Sequence, residues 1–226
     1  MSSDPEEKTE IVHTPHRYVV VEGPIGVGKT SLARRLAKSF GSELVLEQGD
    51  ENPFLERFYR NPRAAAFQTQ LYFLFQRARQ IQDLRQADLF ERVRVADYLL
   101  DKDRLFARLT LDDGEFALYE QVYGRLAIDA PVPDLVVYLQ APVEVLLERI
   151  SRRGIHYEQV IERRYLERLV ESYSRFFLEY DVAPVLMVNA AEIDLVASDA
   201  DYASLLKEVV RSRRGRHYFN PMKSLL

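Results

Sequence analysis

Residues 23–30 read GPIGVGKT, and the chemistry of the chain starts there. Gly23, Gly26 and Gly28 let the backbone turn its N–H groups inward around an anion. Pro24, Ile25 and Val27 fill the spacer positions, and Ser31 follows the motif. Lys29 has the reach for β- and γ-phosphates, and the Thr30 hydroxyl suits a Mg²⁺ shell. The pattern G-x-x-x-x-G-K-[ST] carries weight only between a strand and a helix. Both are present. Residues 18–22 (YVVVE) form an apolar, β-branched run, and residues 31–40 place Leu32, Ala33, Leu36, Ala37 and Phe40 at helical spacing. The helix adds the positive end of its dipole to the loop. The ligand of such a loop is a nucleoside triphosphate. The loop alone leaves kinase, GTPase and ATPase open.

Two carboxylates and an arginine cluster extend the chemistry. Glu47 closes the run ELVLE and Asp97 closes the run RVRVA, each at a predicted strand end. Strand C-termini of a parallel sheet face the ligand crevice. Either carboxylate there could hold Mg²⁺ or accept a proton from an attacking hydroxyl. Arg149, Arg152 and Arg153 gather at the end of one helix, and positions 149 and 153 share a face. Such a cluster can clamp a transferring phosphoryl group, although arginines also favour a helix C-terminus for its dipole alone. Gln70 and Arg77, seven apart in FQTQLYFLFQRARQ, lie on one helical face and could read a nucleobase edge; most aromatics around them read as core.

The elements that must position these groups alternate. Strands are expected at 18–22, 43–47, 92–96, 135–140 and 185–189. Helices are expected at 52–59, 64–89, 101–109, 115–128, 142–153, 158–180 and 201–211. The alternation predicts an α/β domain, a P-loop kinase fold with a five-stranded parallel sheet, helices on both faces and a short Arg-rich lid. Residues 1–17 read as a polar, disordered tail, 18–211 as one domain, and 212–226 as a basic, solvated tail. With 226 residues one domain is the expectation, and a net charge of −4 argues against general nucleic-acid binding. No cysteine is present, which removes disulfides, thiolate zinc sites and cysteine nucleophiles. Four histidines, none paired at metal-ligand spacing, offer no structural metal site. No run is long and apolar enough for a membrane span, and the N-terminus lacks a signal core. The expectation is a cytoplasmic protein with no nucleic-acid or membrane partner.

The ordered series GPIGVGKTS, Glu47 with NPFL and Tyr59, FQTQLYFL, DYLLDKDRLFA and LQAPVEVLLERISRRG followed by EQ resembles the deoxynucleoside kinases. The resemblance runs from about residue 18 to about residue 211 and is nearest to the bacterial deoxyguanosine/deoxyadenosine kinase branch. It implies transfer of a phosphoryl group from Mg²⁺-bound ATP to the 5′-hydroxyl of a purine deoxynucleoside. It implies Glu47 as the base, Tyr59 and Glu158 on the 3′-hydroxyl, and Gln70 on the nucleobase. Phe106 would stack on the base while Arg77 and Asp103 face its polar edge. Arg149 and Arg153 would be lid arginines over the phosphates, and residues 189–194 would lead into the loop beside adenine. Asp97 matches the acid of the family's Asp-Arg or Glu-Arg pair, near the metal, with Thr30 as the other metal-side group. Here the pair is Asp97-Tyr98, so an arginine that helps position base and phosphate is missing; Arg104 or Arg152 is the expected substitute. The resemblance also implies a dimer through the long helices, as a homodimer or with a sister subunit.

Two other readings compete. A thymidylate-kinase-like monophosphate kinase would suit the PDLVVYLQAPVEVLLERISRRG stretch, but its loop usually carries an acid where this one has Pro-Ile, and it lacks the NPFL…Y…Q spacing. A non-catalytic nucleotide-binding subunit of a kinase heterodimer draws on Tyr98 alone.

Overall fold

The computed structural model describes residues 11–86, 93–126 and 130–221. Its centre is a parallel sheet of six strands in the order β2-β3-β1-β4-β5-β6. The strands are β1 (Tyr18–Glu22), β2 (Glu43–Val45), β3 (Arg94–Ala96), β4 (Leu135–Gln140), β5 (Val185–Asn189) and β6 (Arg216–Phe219). The connecting helices are α1 (Lys29–Phe40), α2 (Leu55–Arg60), α3 (Pro62–Gln86), α4 (Lys102–Thr110), α5 (Asp113–Arg125), α6 (Val143–Arg153), α7 (Arg163–Glu179) and α8 (Asp199–Arg211). All five neighbouring strand pairs run parallel. The sequence-based count of five strands is therefore corrected to six. The added strand is built from residues read as a basic tail: Gly215 turns the chain at φ 72° and residues 216–219 pair with β5. A four-residue edge strand with two exposed side chains carries little hydrophobic signal.

The other end of the chain is also more ordered than its composition suggests. Residues 1–10 lie outside the described residues, but 11–17 pack on the domain. Val12 N–H donates to the Ser39 carbonyl at 2.7 Å, His16 is buried with Nε2 2.9 Å from the Val209 carbonyl, and Arg17 N–H donates to Asp134 at 2.6 Å. The expected helix end at 89, strand start at 92 and helix end at 128 fall outside the described residues.

The inner strands read as continuous apolar runs because both sheet faces are covered. Val19, Val20, Val21 and Leu135 to Leu139 are fully buried or nearly so. On one side Tyr138 of β4 stacks on Phe177 of α7 with centroids 4.0 Å apart, and Tyr173 joins the stack. α1 buries its stripe of Leu32, Ala33, Leu36, Ala37 and Phe40 and joins α8 through Ser39 and Tyr202, whose hydroxyls are 2.7 Å apart. Beside the sheet, α3, α4 and α5 make a helical layer around buried Leu74, Ala107 and Tyr119. This layer stands over the C-terminal ends of β2 and β3, where Glu47 and Asp97 emerge.

Candidate active site

The phosphate loop lies between β1 and α1, as its sequence requires. Gly23 has φ 149°, and a β-carbon there would sit 2.5 Å from the Leu139 carbonyl oxygen. Gly26 has φ 82°, and a β-carbon would meet Ile150 at 2.8 Å. Both glycines are therefore demanded by close approach and by backbone conformation. α1 is preceded by Gly28 in the left-handed region, with no side-chain cap and no acid in its first turn. By contrast α5 is closed by a capping box of Asp112 and Glu115. The first N–H groups of α1 are thus left to an anion. Lys29 Nζ donates to the carbonyls of Gly23 at 2.7 Å and Pro24 at 3.2 Å. Burial pulls its pKa down, as does Lys102, while Glu22, Glu47 and Asp97 oppose the shift.

Asp97 and Glu47 meet at the strand ends. The Thr30 hydroxyl donates to Asp97 Oδ2 at 2.5 Å, and Glu47 N–H donates to Asp97 Oδ1 at 2.7 Å. Asp97 therefore ties the phosphate loop to the backbone of Glu47. The Glu47 side chain is 22% exposed, enough for one face to meet a substrate. Its Oε1 accepts from Arg77 Nη2, and its Oε2 accepts from Lys102 Nζ at 3.1 Å. Burial works to raise the Glu47 pKa, but Lys102, Arg77 and Lys29 outweigh it and hold the carboxyl far below its usual range. α3 also clamps the segment from outside: Gln80 Nε2 donates to the Leu46 carbonyl at 3.1 Å and Gln76 Nε2 to the Gln48 carbonyl at 3.2 Å.

The nucleobase candidates converge in the α3–α4–α5 layer. Gln70, Arg77 and Asp103 are all buried, and Arg77 Nη1 pairs with Asp103 Oδ1. Gln70 Nε2 donates to Thr110 Oγ1 at 3.2 Å, which fixes its amide. Arg77 lies under the Phe73 ring, 5.0 Å from its centroid, and 5.7 Å from that of Tyr98. Phe106 packs edge-on against Tyr173 at 5.9 Å. Among the described residues, Arg77 Nε, Asp103 Oδ2 and the Tyr119 hydroxyl have no hydrogen-bond partner.

The lid follows α6, which Gly154 ends in the left-handed conformation. Arg153 Nη2 pairs with Glu158, a buried carboxylate whose pKa is raised by burial and lowered by that arginine. Tyr157 stacks parallel on Tyr59 at 6.2 Å, and its hydroxyl donates to Asp50. Burial raises the Tyr59 hydroxyl pKa, and the charges of Glu158 and Glu47 add to the shift. Tyr59, Glu158 and Glu47 thus share one neighbourhood. Arg149 points elsewhere: Nη1 donates to the Val27 carbonyl at 3.1 Å and Nη2 to the Ala190 carbonyl at 2.7 Å. It bridges the phosphate loop to the segment after β5. The two lid arginines, read as one clamp, serve different ends of the site.

Known proteins are similar to this chain in sequence and in fold. Residues 19–212 match the family model for deoxynucleoside kinases. The chain belongs to the deoxynucleoside kinase family. It is 34% identical to a deoxyguanosine kinase of Bacillus subtilis, covering 85% of this chain and 97% of that protein. It is 30% identical to a deoxyadenosine kinase of Lactobacillus acidophilus, over 85% and 94% of the two chains. The fold is similar to a solved M. mycoides deoxyadenosine kinase with bound dATP, with a TM-score of 0.73 and 27% identity over 86% of this chain and all of that one. As a deoxynucleoside kinase the chain phosphorylates the 5′-hydroxyl of a deoxynucleoside, a step of nucleotide salvage. The monophosphate-kinase reading is displaced by that membership.

Within the kinase, the expected substitutes for the arginine missing at position 98 are corrected. Arg104 pairs with Glu120 at 2.5 Å with its side chain 57% exposed, and Arg152 is exposed. Besides Arg77, the cation that reaches Glu47 is Lys102. Sequence reasoning missed it, and also missed Gln76, Gln80 and Thr110, because a lysine in DKDR or a glutamine in a long helix reads as solvated surface. The one available signal was spacing: Lys102 opens a helix five residues after Asp97.

Proposed function

We propose that this kinase transfers the γ-phosphoryl group of ATP to the 5′-hydroxyl of a purine deoxynucleoside, with Glu47 as the base. The observation that carries the reading is the chain of contacts from Thr30 to Asp97 to Glu47, which sets a half-open carboxylate beside the phosphate loop. Lys29, the loop amides and the start of α1 hold the triphosphate. Glu47 orients the hydroxyl in line and receives its proton. A carboxylate held far below its usual range is a weak base, so it acts chiefly by positioning until the new P–O bond has formed. Tyr59 and Glu158 hold the 3′-hydroxyl. Gln70, Arg77 and Asp103 face the base, and Phe106 stacks on it. The unpartnered atoms of Arg77, Asp103 and Tyr119 support this placement, since a buried polar group left unpaired is costly. Arg153 closes with the lid over the phosphoryl group, and Arg149 braces the loop against the adenine side.

The donor set fits Mg²⁺. Thr30 and Asp97 are hard oxygen donors in mutual contact, and Mg²⁺ takes one or two protein oxygens with the rest from phosphates and water. When bound there it would neutralise charge on the β- and γ-oxygens. We further propose a cytoplasmic dimer, paired with a second copy or a sister subunit through the long helices; exposed Phe75 on α3 and Leu118 on α5 support it. Among the described residues no helix is long and apolar enough to cross a membrane. The test is steady-state phosphorylation of the four deoxynucleosides and dTMP with Mg·ATP, on protein sized by light scattering. Turnover of deoxyguanosine or deoxyadenosine is the expected result. Preference for a pyrimidine would overturn the purine assignment, and a monomer would overturn the dimer.

A further inference from the structure

Lys102 is a buried cation that nothing in the reaction scheme above uses. It is 2% exposed at the first turn of α4. A buried ammonium is expensive, and an apolar side chain of similar size would serve packing as well or better. Its two anionic neighbours differ. Glu22, at the end of β1, is completely buried and already accepts from Gly23 N–H at 2.8 Å, Leu99 N–H at 2.7 Å and the Tyr173 hydroxyl at 2.9 Å. Lys102 Nζ stands 3.6 Å from Glu22 Oε2 but 3.1 Å from Glu47 Oε2. Glu22 is thus satisfied by other donors and serves as the anchor, while the hydrogen bond goes to Glu47. Tyr98 completes the seat: its ring centre lies 6.0 Å from Lys102 Nζ and 5.7 Å from the Arg77 guanidinium, so one aromatic ring faces both cations that grip Glu47.

We propose that Lys102 is a positioning residue of the phosphoryl-transfer centre: its ammonium, lodged between Glu22 and Glu47, fixes the Glu47 carboxylate for the 5′-hydroxyl. The proposal rests on the reading of Glu47 as the base. Two cations grip one carboxylate from different elements, Arg77 from α3 on Oε1 and Lys102 from α4 on Oε2, so the carboxylate plane is set by both. The other charged groups around the pair are Lys29 in the phosphate loop, Asp97 after β3 and Asp103 beside Arg77. Lys29 Nζ donates to the Gly23 and Pro24 carbonyls and the other two are carboxylates, so none takes the place of Lys102 on Oε2.

The experiment compares Lys102→Met, Lys102→Arg and Glu47→Gln by kcat and KM, with deoxyguanosine and deoxyadenosine. Lys102→Met is expected to lose at least ~10-fold in kcat, on the scale of a displaced acid–base group, while KM for the nucleoside stays within about threefold. Lys102→Arg, which keeps the charge, should retain clearly more kcat than Lys102→Met. A Met variant with kcat within about threefold of wild type, beside an inactive Glu47→Gln, would overturn the proposal and leave the base assignment standing. Near-normal kcat in Glu47→Gln would overturn the base assignment and the proposal together. If Lys102→Met fails to fold by circular dichroism, Lys102→Gln takes its place: a folded Gln variant with kcat within about threefold of wild type contradicts the assignment.

Discussion

The phosphate end and the nucleoside end proposed for this kinase are built on opposite plans. The phosphate end is local and made of backbone: residues 23–30, one strand before and one helix after, with glycines at φ 149° and 82° where a β-carbon would collide. The nucleoside end is assembled from side chains on α3, α4, the lid and the segment after β2, held by buried charge: Arg77 with Asp103 and Glu47, and Lys102 with Glu47 and Glu22. Amides fixed by main-chain geometry can cradle any triphosphate. Buried ion pairs with few exposed atoms can reject the wrong base, because an unsatisfied polar group there is costly. On the proposed assignment, the difference separates a general donor site from a selective acceptor site.

Variants should separate the two ends. The largest effect is on turnover. Lys29→Ala and Glu47→Gln should each lower kcat at least ~100-fold, on the scale of lost charge stabilisation or base catalysis. Lys29→Ala should do so equally for every nucleoside, and calorimetry should find nucleoside affinity within about threefold of wild type. Next comes stability. Arg77→Leu strands Asp103, which is 1% exposed, and should cost about 3–5 kcal/mol in denaturant unfolding. Arg77→Leu with Asp103→Leu together should recover much of that loss without restoring nucleoside binding; a cost equal to the sum of the single variants would contradict the pairing. Smaller is Gly23→Ala, whose β-carbon meets the Leu139 carbonyl at 2.5 Å. Backbone strain of about 1–3 kcal/mol should weaken ATP roughly 10-fold and leave nucleoside affinity alone. The smallest is Tyr157→Phe. Loss of its bond to Asp50 should raise the nucleoside KM by ~2–10-fold, the worth of one hydrogen bond, with kcat for bound substrate nearly kept.

The same contrast explains what could be read from the sequence. The phosphate loop was legible because its motif, strand and helix are contiguous, and β4 and β5 were legible because buried parallel strands are continuous apolar runs. Glu47 and Asp97 were legible as strand-end carboxylates, and the structure joins them through a backbone N–H. Lys102 was not, since periodicity marks apolar faces and cannot tell a buried lysine from a solvated one. The arginine substitute was therefore sought at Arg104 and Arg152, which face Glu120 and solvent. β6 was missed for a related reason: RHYF at a sheet edge alternates exposed and half-buried residues, and its strand character comes from pairing with β5. Arg149 and Arg153 share a helical face, as spacing requires, but Val27 and Ala190, which hold Arg149, lie far off in sequence, and Glu158, which holds Arg153, lies beyond the turn at Gly154.

The most direct measurement compares wild type with Glu47→Gln in two assays, phosphorylation of deoxyguanosine and deoxyadenosine with Mg·ATP and binding of the same nucleosides by calorimetry. The variant is expected to bind the preferred nucleoside within a few-fold of wild type, roughly, and to turn it over at least ~100-fold more slowly. A variant that keeps near-normal kcat would show that the carboxylate gripped by Arg77 and Lys102 is not the base, and the acceptor end would need a different centre.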